Sequence, residues 1–457
     1  MPIEIATAND LDTIVRNSDN WGETFIQTAD IDLSGYNWTP IGPEATSGWY
    51  GTYDGQDHKI KNLTITNQNR NYLGLFSSVG SGSPDHFQGI IKNVILEDVN
   101  ISIANEAQSS QVGGICGYGR NIKIENCHGT GTVYGMIHTA GGLLGYFLTG
   151  EGCVDSSFVG TVESTGDYNA ETYGHYIGGM VGRGGFCTRC FTEGKVIGSF
   201  MVGGLCGQVD WFTTDCHSTA DVTAGISVVG GLVGTFTYWD YYEVIRCYAT
   251  GKVVAGSNRA GGFVGRATRT VIKECYSTGD VESPNSAGGF IAQVTHLANF
   301  SDCYATGAVQ GTNDVGGFVA TGGDGSGDNN FSRCYSTGAV QGTNDVGGFC
   351  GFIDNLILSD CYYDSQTSGQ SDDDGRGMPK TTSEMQNIDT YLPEWDIISG
   401  WEFEEEDPTV WFIYREYPLL HYQWYDAPYP TLVPILSLQQ VAADIEVSWS
   451  YPEEEGE

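Results

Sequence analysis

Apolar residues along this chain fall in short runs punctuated by glycine rather than at helical spacing. A glycine doublet followed by two apolar residues returns nine times: Gly113-Gly-Ile-Cys116, Gly141-Gly-Leu-Leu144, Gly178-Gly-Met-Val181, Gly203-Gly-Leu-Cys206, Gly230-Gly-Leu-Val233, Gly261-Gly-Phe-Val264, Gly288-Gly-Phe-Ile291, Gly316-Gly-Phe-Val319 and Gly347-Gly-Phe-Cys350. The doublets are 25 to 37 residues apart. Between them runs a second pattern, Cys-Tyr-(Ala/Ser)-Thr-Gly-x-Val, complete at Cys247, Cys275, Cys303 and Cys334 and degenerate at Cys127, Ser156, Cys190 and Cys216. Cys361 opens a last, broken copy. The fifth position after the cysteine is Thr132, Thr161, Lys195, Asp221, Lys252, Asp280, Ala308 or Ala339, and the sixth is always valine. Such period-2 alternation is the signature of a half-buried strand. With charge outside, the Cys, Ala/Ser, Gly and Val positions point inward.

A unit of this size cannot bury its own apolar face, but coils stacked on one another can. The pattern therefore predicts an all-β protein, a right-handed parallel β-helix solenoid whose equivalent residues form ladders at the strand spacing of about 4.8 Å. The near-identical units beginning at Cys303 and Cys334 point to recent duplication. Open strand edges at the ends of such a stack need covers, and two short helical caps are predicted. One follows the capping box at Thr7-Ala-Asn-Asp10 and the other follows Thr381-Thr-Ser-Glu384. The organisation expected is an N-terminal cap with the first coils over 1–72, repeat coils over 73–365 and an aromatic-rich cap over the last coil at 366–426. Residues 427–457 read as a linker and acidic tail, or the start of a further module.

These motifs resemble the GLUG-motif repeat proteins of bacterial surface and secreted proteins and some phage genes, and the likeness extends over residues 3 to 425. Ala29-Asp-Ile-Asp-Leu33, Trp38-Thr-Pro-Ile-Gly42 and Gly51-Thr-Tyr-Asp-Gly55 resemble the opening that precedes such repeats, and Tyr417-Pro-Leu-Leu420 their closing motif. The resemblance implies a β-helical stalk or adhesin. Some members carry the repeat beside a zinc protease domain that cleaves immunoglobulin A. This sequence has no His-Glu-x-x-His, so that activity is not carried over.

Composition narrows the partners. The formal charge of −37, with only 20 Lys+Arg, excludes the basic patches that nucleic acid or an anionic membrane surface would need. No apolar stretch approaches the roughly 18 residues of a membrane span. The start, Met1-Pro-Ile-Glu-Ile-Ala6, has neither a basic n-region nor an apolar h-region. The expected location is nonetheless extracellular-facing, on a cell surface or a virion. The thirteen cysteines fall mostly on the inward ladder, where they read as small buried hydrophobes rather than a disulfide or metal framework. Cys187-Thr-Arg-Cys190 has no second pair to complete a zinc site.

Three sets of residues are candidates for chemistry. The outward column after each ladder position, His128, Phe191, His217, Tyr248, Tyr276, Tyr304, Tyr335 and Tyr362, would present flat faces. Thr219, Thr250, Thr278, Thr306 and Thr337 would flank it with hydroxyls, making a surface for a glycan or a neighbouring surface or virion protein, or a further copy of the chain. A carboxylate pair of the kind that cleaves polysaccharides would be sought at Asp210, Asp215, Asp240 and Glu243, near Trp211, Trp239, Tyr241 and Tyr242. Asp324 and Asp328, with Asp372 and Asp374, lie in oxygen-rich turns able to hold Ca²⁺, the one cofactor the sequence suggests. The expectation is a non-enzymatic attachment or display module, with a tailspike-like depolymerase or a purely structural fibre subunit as alternatives.

Overall fold

The computed structural model describes residues 1–423 except 45–47, 67–69, 82–87, 105–110, 167–174, 237–241, 324–326, 372–375, 400–408 and 414–415. The chain winds as a parallel β-solenoid. Its strands form one large sheet and two ten-stranded sheets, and the pairings recorded between coils are parallel throughout. Each winding advances by one coil, so equivalent residues stack in register.

The coil from Arg259 to Glu282 shows how the sequence produces this path. Arg259–Gly261 lies in one ten-stranded sheet and Val264–Thr268 in the other, with the glycine doublet at the bend between them. A Cβ on Gly262 would come within 2.0 Å of the Gly289 carbonyl oxygen, and one on Gly261 within 2.0 Å of that of Val264. The doublet recurs because backbone from the next coil and from the bend itself fills the space a side chain would take. Thr270–Lys273 and Tyr276–Ser277 then follow in the large sheet, with a corner at Glu274. Ala260, Phe263, Val264, Ala267, Ile272, Cys275, Ser277 and Val281 are all fully buried, the inward phase the alternation predicts. The buried Ser277 hydroxyl donates to the Gly289 carbonyl at 2.8 Å, as Ser336 does to Gly348, so serine at this position satisfies itself on the next coil's doublet.

The cysteine column is a ladder of thiols. All thirteen cysteines are free and buried. Along the ladder the Cys190 N–H donates to Cys216 Sγ at 3.3 Å, Cys216 N–H to Cys247 Sγ at 3.3 Å and Cys247 N–H to Cys275 Sγ at 3.4 Å. Each thiol in turn donates to the carbonyl two residues back, at 3.0 Å for Cys275. Ser156 fills the same place with its hydroxyl. Phenylalanines stack beside this column, Phe263, Phe290, Phe318 and Phe349 at 4.6–4.9 Å between centroids.

One sequence expectation is revised, the extent of the aromatic cap. The ten-stranded sheets begin one coil earlier than the nine doublets, at Tyr72–Leu73 and Phe76–Val79. There Leu73-Gly-Leu-Phe76 has a single glycine, and Val112 and Cys116 pair with Leu73 and Phe76 across a gap one residue shorter. Bridges from Ile41 and Trp49 begin a further turn. The capping box at Thr7 and Asp10 forms as expected, and Leu11 and Val15 bury its helical turn. The box at Thr381 and Glu384 forms too. The aromatic segment beyond it, however, lies along the flank of several coils instead of covering only the last.

Candidate binding face along the aromatic ladder

The corner before each ladder residue sets the face. Asn126, Asp155, Arg189, Asp215, Arg246, Glu274, Asp302, Arg333 and Asp360 all have φ between 49° and 56°. A non-glycine residue held there costs about 1–2 kcal/mol, and their side chains recover part of it by pairing along the axis. Arg189 clasps Asp155 at 2.5 and 2.8 Å, Arg246 clasps Asp215 at 2.6 and 3.0 Å, and Arg333 clasps Asp302 at 2.7 and 2.7 Å. The Arg189 guanidinium holds the Asp155 carboxyl below its ordinary range. This alternating acid–base column was missed in the sequence, although its signal is the residue immediately before each ladder cysteine.

One residue past the cysteine the aromatic column forms as predicted. Phe191, His217, Tyr248, Tyr276, Tyr304 and Tyr335 stack with centroids 4.5–5.2 Å apart and planes within 8°. Its exposure is not uniform, and this corrects the expectation of an open stripe. Tyr304 and Tyr335 are 2% and 0% exposed, and Tyr362 and Thr337 are buried as well. The three tyrosines form a second apolar cluster with Tyr391, Trp395, Trp411 and Leu420 of the C-terminal segment. The Tyr335 hydroxyl donates to the Pro418 carbonyl at 2.5 Å, Tyr304 bonds Gln423, and the Trp411 indole N–H donates to Asp302 at 3.0 Å.

The accessible part is therefore Phe191, His217, Tyr248 and Tyr276, all half-buried, with Thr219 and Thr278 exposed and Thr250 and Thr306 half-buried beside them. Stacking between Phe191 and Tyr248 desolvates His217 and lowers its pKa. In the coils of Tyr304 and Tyr335 the outward position falls to alanine, and a recess of about 230 Å³ opens over Ala308 and Ala339, walled by Asp280 and Glu282 from the coil of Tyr276 and by Gln310 and Gln341. It continues into a second recess past Glu282 and Gln310 to Ser283 and Thr312.

Among the described residues the predicted carboxylates have separate surroundings. Asp215 is held by Arg246, Asp210 accepts from Gln208 at 2.7 Å and from Arg183 at 3.4 Å, and Glu243 is exposed. Trp211 stacks on Phe186 and Tyr242 is buried. Asp240, Trp239 and Tyr241 lie outside the described residues. The carboxyl with the more telling environment is Glu274, in the corner column between Arg246 and Asp302: burial pushes it up, against the lowering by Arg246. For calcium, Asp328 is exposed, while Asp324, Asp372 and Asp374 lie outside the described residues. Among the described residues no group of three or more His, Cys, Asp or Glu side chains is arranged to hold a metal ion.

The family comparison falls on the coil described above, for the profile of the GLUG motif matches residues 256–282. The chain carries the GLUG motif. Its glycine doublet, corner residue, ladder cysteine and inward valine give each GLUG coil its path. Two relatives match part of the chain. Halomucin of Haloquadratum walsbyi is 30% identical over 155 residues, 32% of this chain and 2% of that protein. A protein of Evansella cellulosilytica, provisionally described as a Gly-rich membrane protein, is 32% identical over 134 residues, 27% of this chain and 14% of its own length. The chain thus spans a small fraction of either relative. A Bacteroides ovatus protein provisionally assigned as an immunoglobulin A1 protease aligns over 92% of both chains at 17% identity, with a TM-score of 0.38. Among the described residues no helix is long and apolar enough to cross a membrane.

Proposed function

We propose that this chain is a rigid attachment module of a surface protein, and that it holds a glycan along the accessible half of the aromatic ladder. The observation that carries the reading is the continuous stack from Phe191 to Tyr276, half-buried but open on its outer side, with threonine hydroxyls along one edge. Aromatic faces take the C–H faces of sugars while flanking hydroxyls, amides and carboxylates fix orientation. Glu282, Gln310 and Gln341 in the adjoining recess supply such groups. The names of the two relatives agree with placement at a surface.

The covered half of the ladder supports this by example. There the chain's own Trp411 packs on Tyr304 and Tyr335 and donates its N–H to the corner carboxylate of Asp302. The accessible half offers the same combination, a ring beside a corner carboxylate, at Tyr276 and Glu274.

Glycan-array retention of the full chain, alone and with Ca²⁺, tests the reading. Retention should be lost in Tyr248→Ala/Tyr276→Ala while the β-sheet circular dichroism is unchanged. Silence of the intact chain on the array would remove the glycan and favour a structural or protein-docking role. A second reading, polysaccharide depolymerase, rests on the raised carboxyl of Glu274. It requires reducing ends released over time by the intact chain and abolished in Glu274→Gln.

A further inference from the structure

Eight of the thirteen thiols belong to the ladder, each donating to the carbonyl two residues behind it. Cys187 and Cys206 stand outside it. Cys187 occupies an inward column of the large sheet that otherwise runs Ile91, Ile124, Cys153, then Thr213, Val244, Ile272 and Phe300. Cys206 occupies the inward column of the facing ten-stranded sheet, between Val181 and Val233. The two sulfurs meet across the core at 3.9 Å, and both residues are fully buried. The Cys187 thiol is also in hydrogen-bonding contact with Cys153 and Cys190. Cys190, the other half of the Cys-x-x-Cys pair, lies against Cys187 too, while its own thiol donates to the Cys153 and Thr188 carbonyls at 3.3 and 3.4 Å.

We propose that Cys187 and Cys206 are a disulfide site, closed by thiol–disulfide exchange when the chain folds in an oxidising medium, and that the bond staples the large sheet to the facing sheet between consecutive coils. The oxidant is a low-molecular-weight disulfide such as oxidised glutathione. One cysteine, as thiolate, attacks it and expels one glutathione thiolate. The second then attacks the protein sulfur of the mixed disulfide, forms the S–S bond and expels the other. Two protein thiols lose two electrons and two protons, and one glutathione disulfide becomes two glutathione thiols. Exchange must precede closure of the coils, because in the folded chain both sulfurs are out of reach of solvent, and hydrogen bonds from the neighbouring thiols, Cys153 first, together with burial hold the Cys187 thiol protonated. The Cys-x-x-Cys spacing in the sequence points to Cys190 as the partner of Cys187; the fold replaces it with Cys206.

The full chain is refolded from denaturant in a reduced/oxidised glutathione buffer, quenched in acid, alkylated and mapped without reduction. The expected result is a linked peptide pair containing Cys187 and Cys206, with the other eleven cysteines alkylated. The link should persist in Cys190→Ala and vanish in Cys206→Ala, where Cys187 becomes alkylated. Folding of each variant is checked by circular dichroism. Alkylation of all thirteen cysteines in the refolded wild-type chain overturns the proposal, and so does a link from Cys187 to Cys190 or Cys153. Because the wild-type map decides alone, a variant that misfolds does not rescue the idea.

Discussion

The upper and lower halves of the aromatic ladder are built from the same repeat and end in opposite surroundings. Tyr248 and Tyr276 stack at 4.8 Å, Tyr304 and Tyr335 at 5.1 Å, with nearly parallel planes in both. The first pair is half-exposed and the second is sealed beneath Trp395, Trp411 and Leu420. Stack geometry is thus a property of the coil, fixed by register and by the corner before each cysteine. Accessibility is a property of a non-repeating segment far along the chain. In a solenoid, where each coil leans only on its neighbours, that segment is what makes the C-terminal coils more than an additive stack.

The largest effect that would confirm the contrast is at Tyr335. Replacing it with alanine removes a fully buried ring from contact with Tyr304, Trp411 and Trp395, and should cost about 3–5 kcal/mol. The loss should appear as faster hydrogen exchange in residues 330–363 and 411–420 while coils before Phe191 keep their protection. Uniform loss of protection along the rod would mean that the two halves form one cooperative unit.

The corner column allows the same comparison with charge. Arg189–Asp155 and Arg333–Asp302 have the same two-bond geometry, but the side chains of the first pair are 54% and 43% exposed and those of the second 33% and 8%. A double-mutant cycle to alanine should give a coupling below about 1 kcal/mol for the exposed pair. For the covered pair it should give about 2–3 kcal/mol, since Asp302 also serves the Trp411 indole in a site with little water. Equal couplings would show that the C-terminal segment adds nothing to the column beneath it.

Much of this architecture is readable in the residues themselves. The cysteine and valine columns phase the strands, the glycine doublets mark a bend where a Cβ cannot fit, and tyrosine after five of the ladder cysteines announces a ladder. What is not readable follows from range and from degeneracy. The Tyr304–Gln423 and Tyr335–Pro418 contacts join residues 119 and 83 positions apart through a segment with no period, so nothing local says which tyrosines it covers. The coil at Leu73-Gly-Leu-Phe76 falls outside the doublet pattern because it has one glycine instead of two. The corner residues, whose alternation of Asp155, Arg189, Asp215 and Arg246 was available, look like scattered surface charge until their shared left-handed backbone aligns them.

A smaller effect separates packing from function within the accessible half. Tyr276 stacks on Tyr248 and Tyr304 and is partly packed against the C-terminal cluster, so Tyr276→Ala should lower stability by about 1–2 kcal/mol, less than Tyr335→Ala. Tyr276→Phe keeps the ring and should leave both stability and glycan retention close to wild type if the ring face is what binds. Loss of retention in Tyr276→Phe would place recognition on the hydroxyl instead.

The finest test uses His217 as a reporter built into the open half. Enclosure between Phe191 and Tyr248 lowers its pKa below the ordinary 6.5, because desolvation penalises the charged ring. Its folded value being depressed, the unfolded chain takes up a proton first. The stability this residue contributes is complete above the unfolded value and is lost as pH falls from about 6.5 through the folded value. NMR titration should therefore show His217 below the ordinary imidazole value of 6.5. A ligand lying along the stripe would remove more water and move His217 further down. If a retained glycan leaves the His217 titration unchanged, it sits elsewhere, and the open rings are exposed only because the C-terminal segment stops short of them.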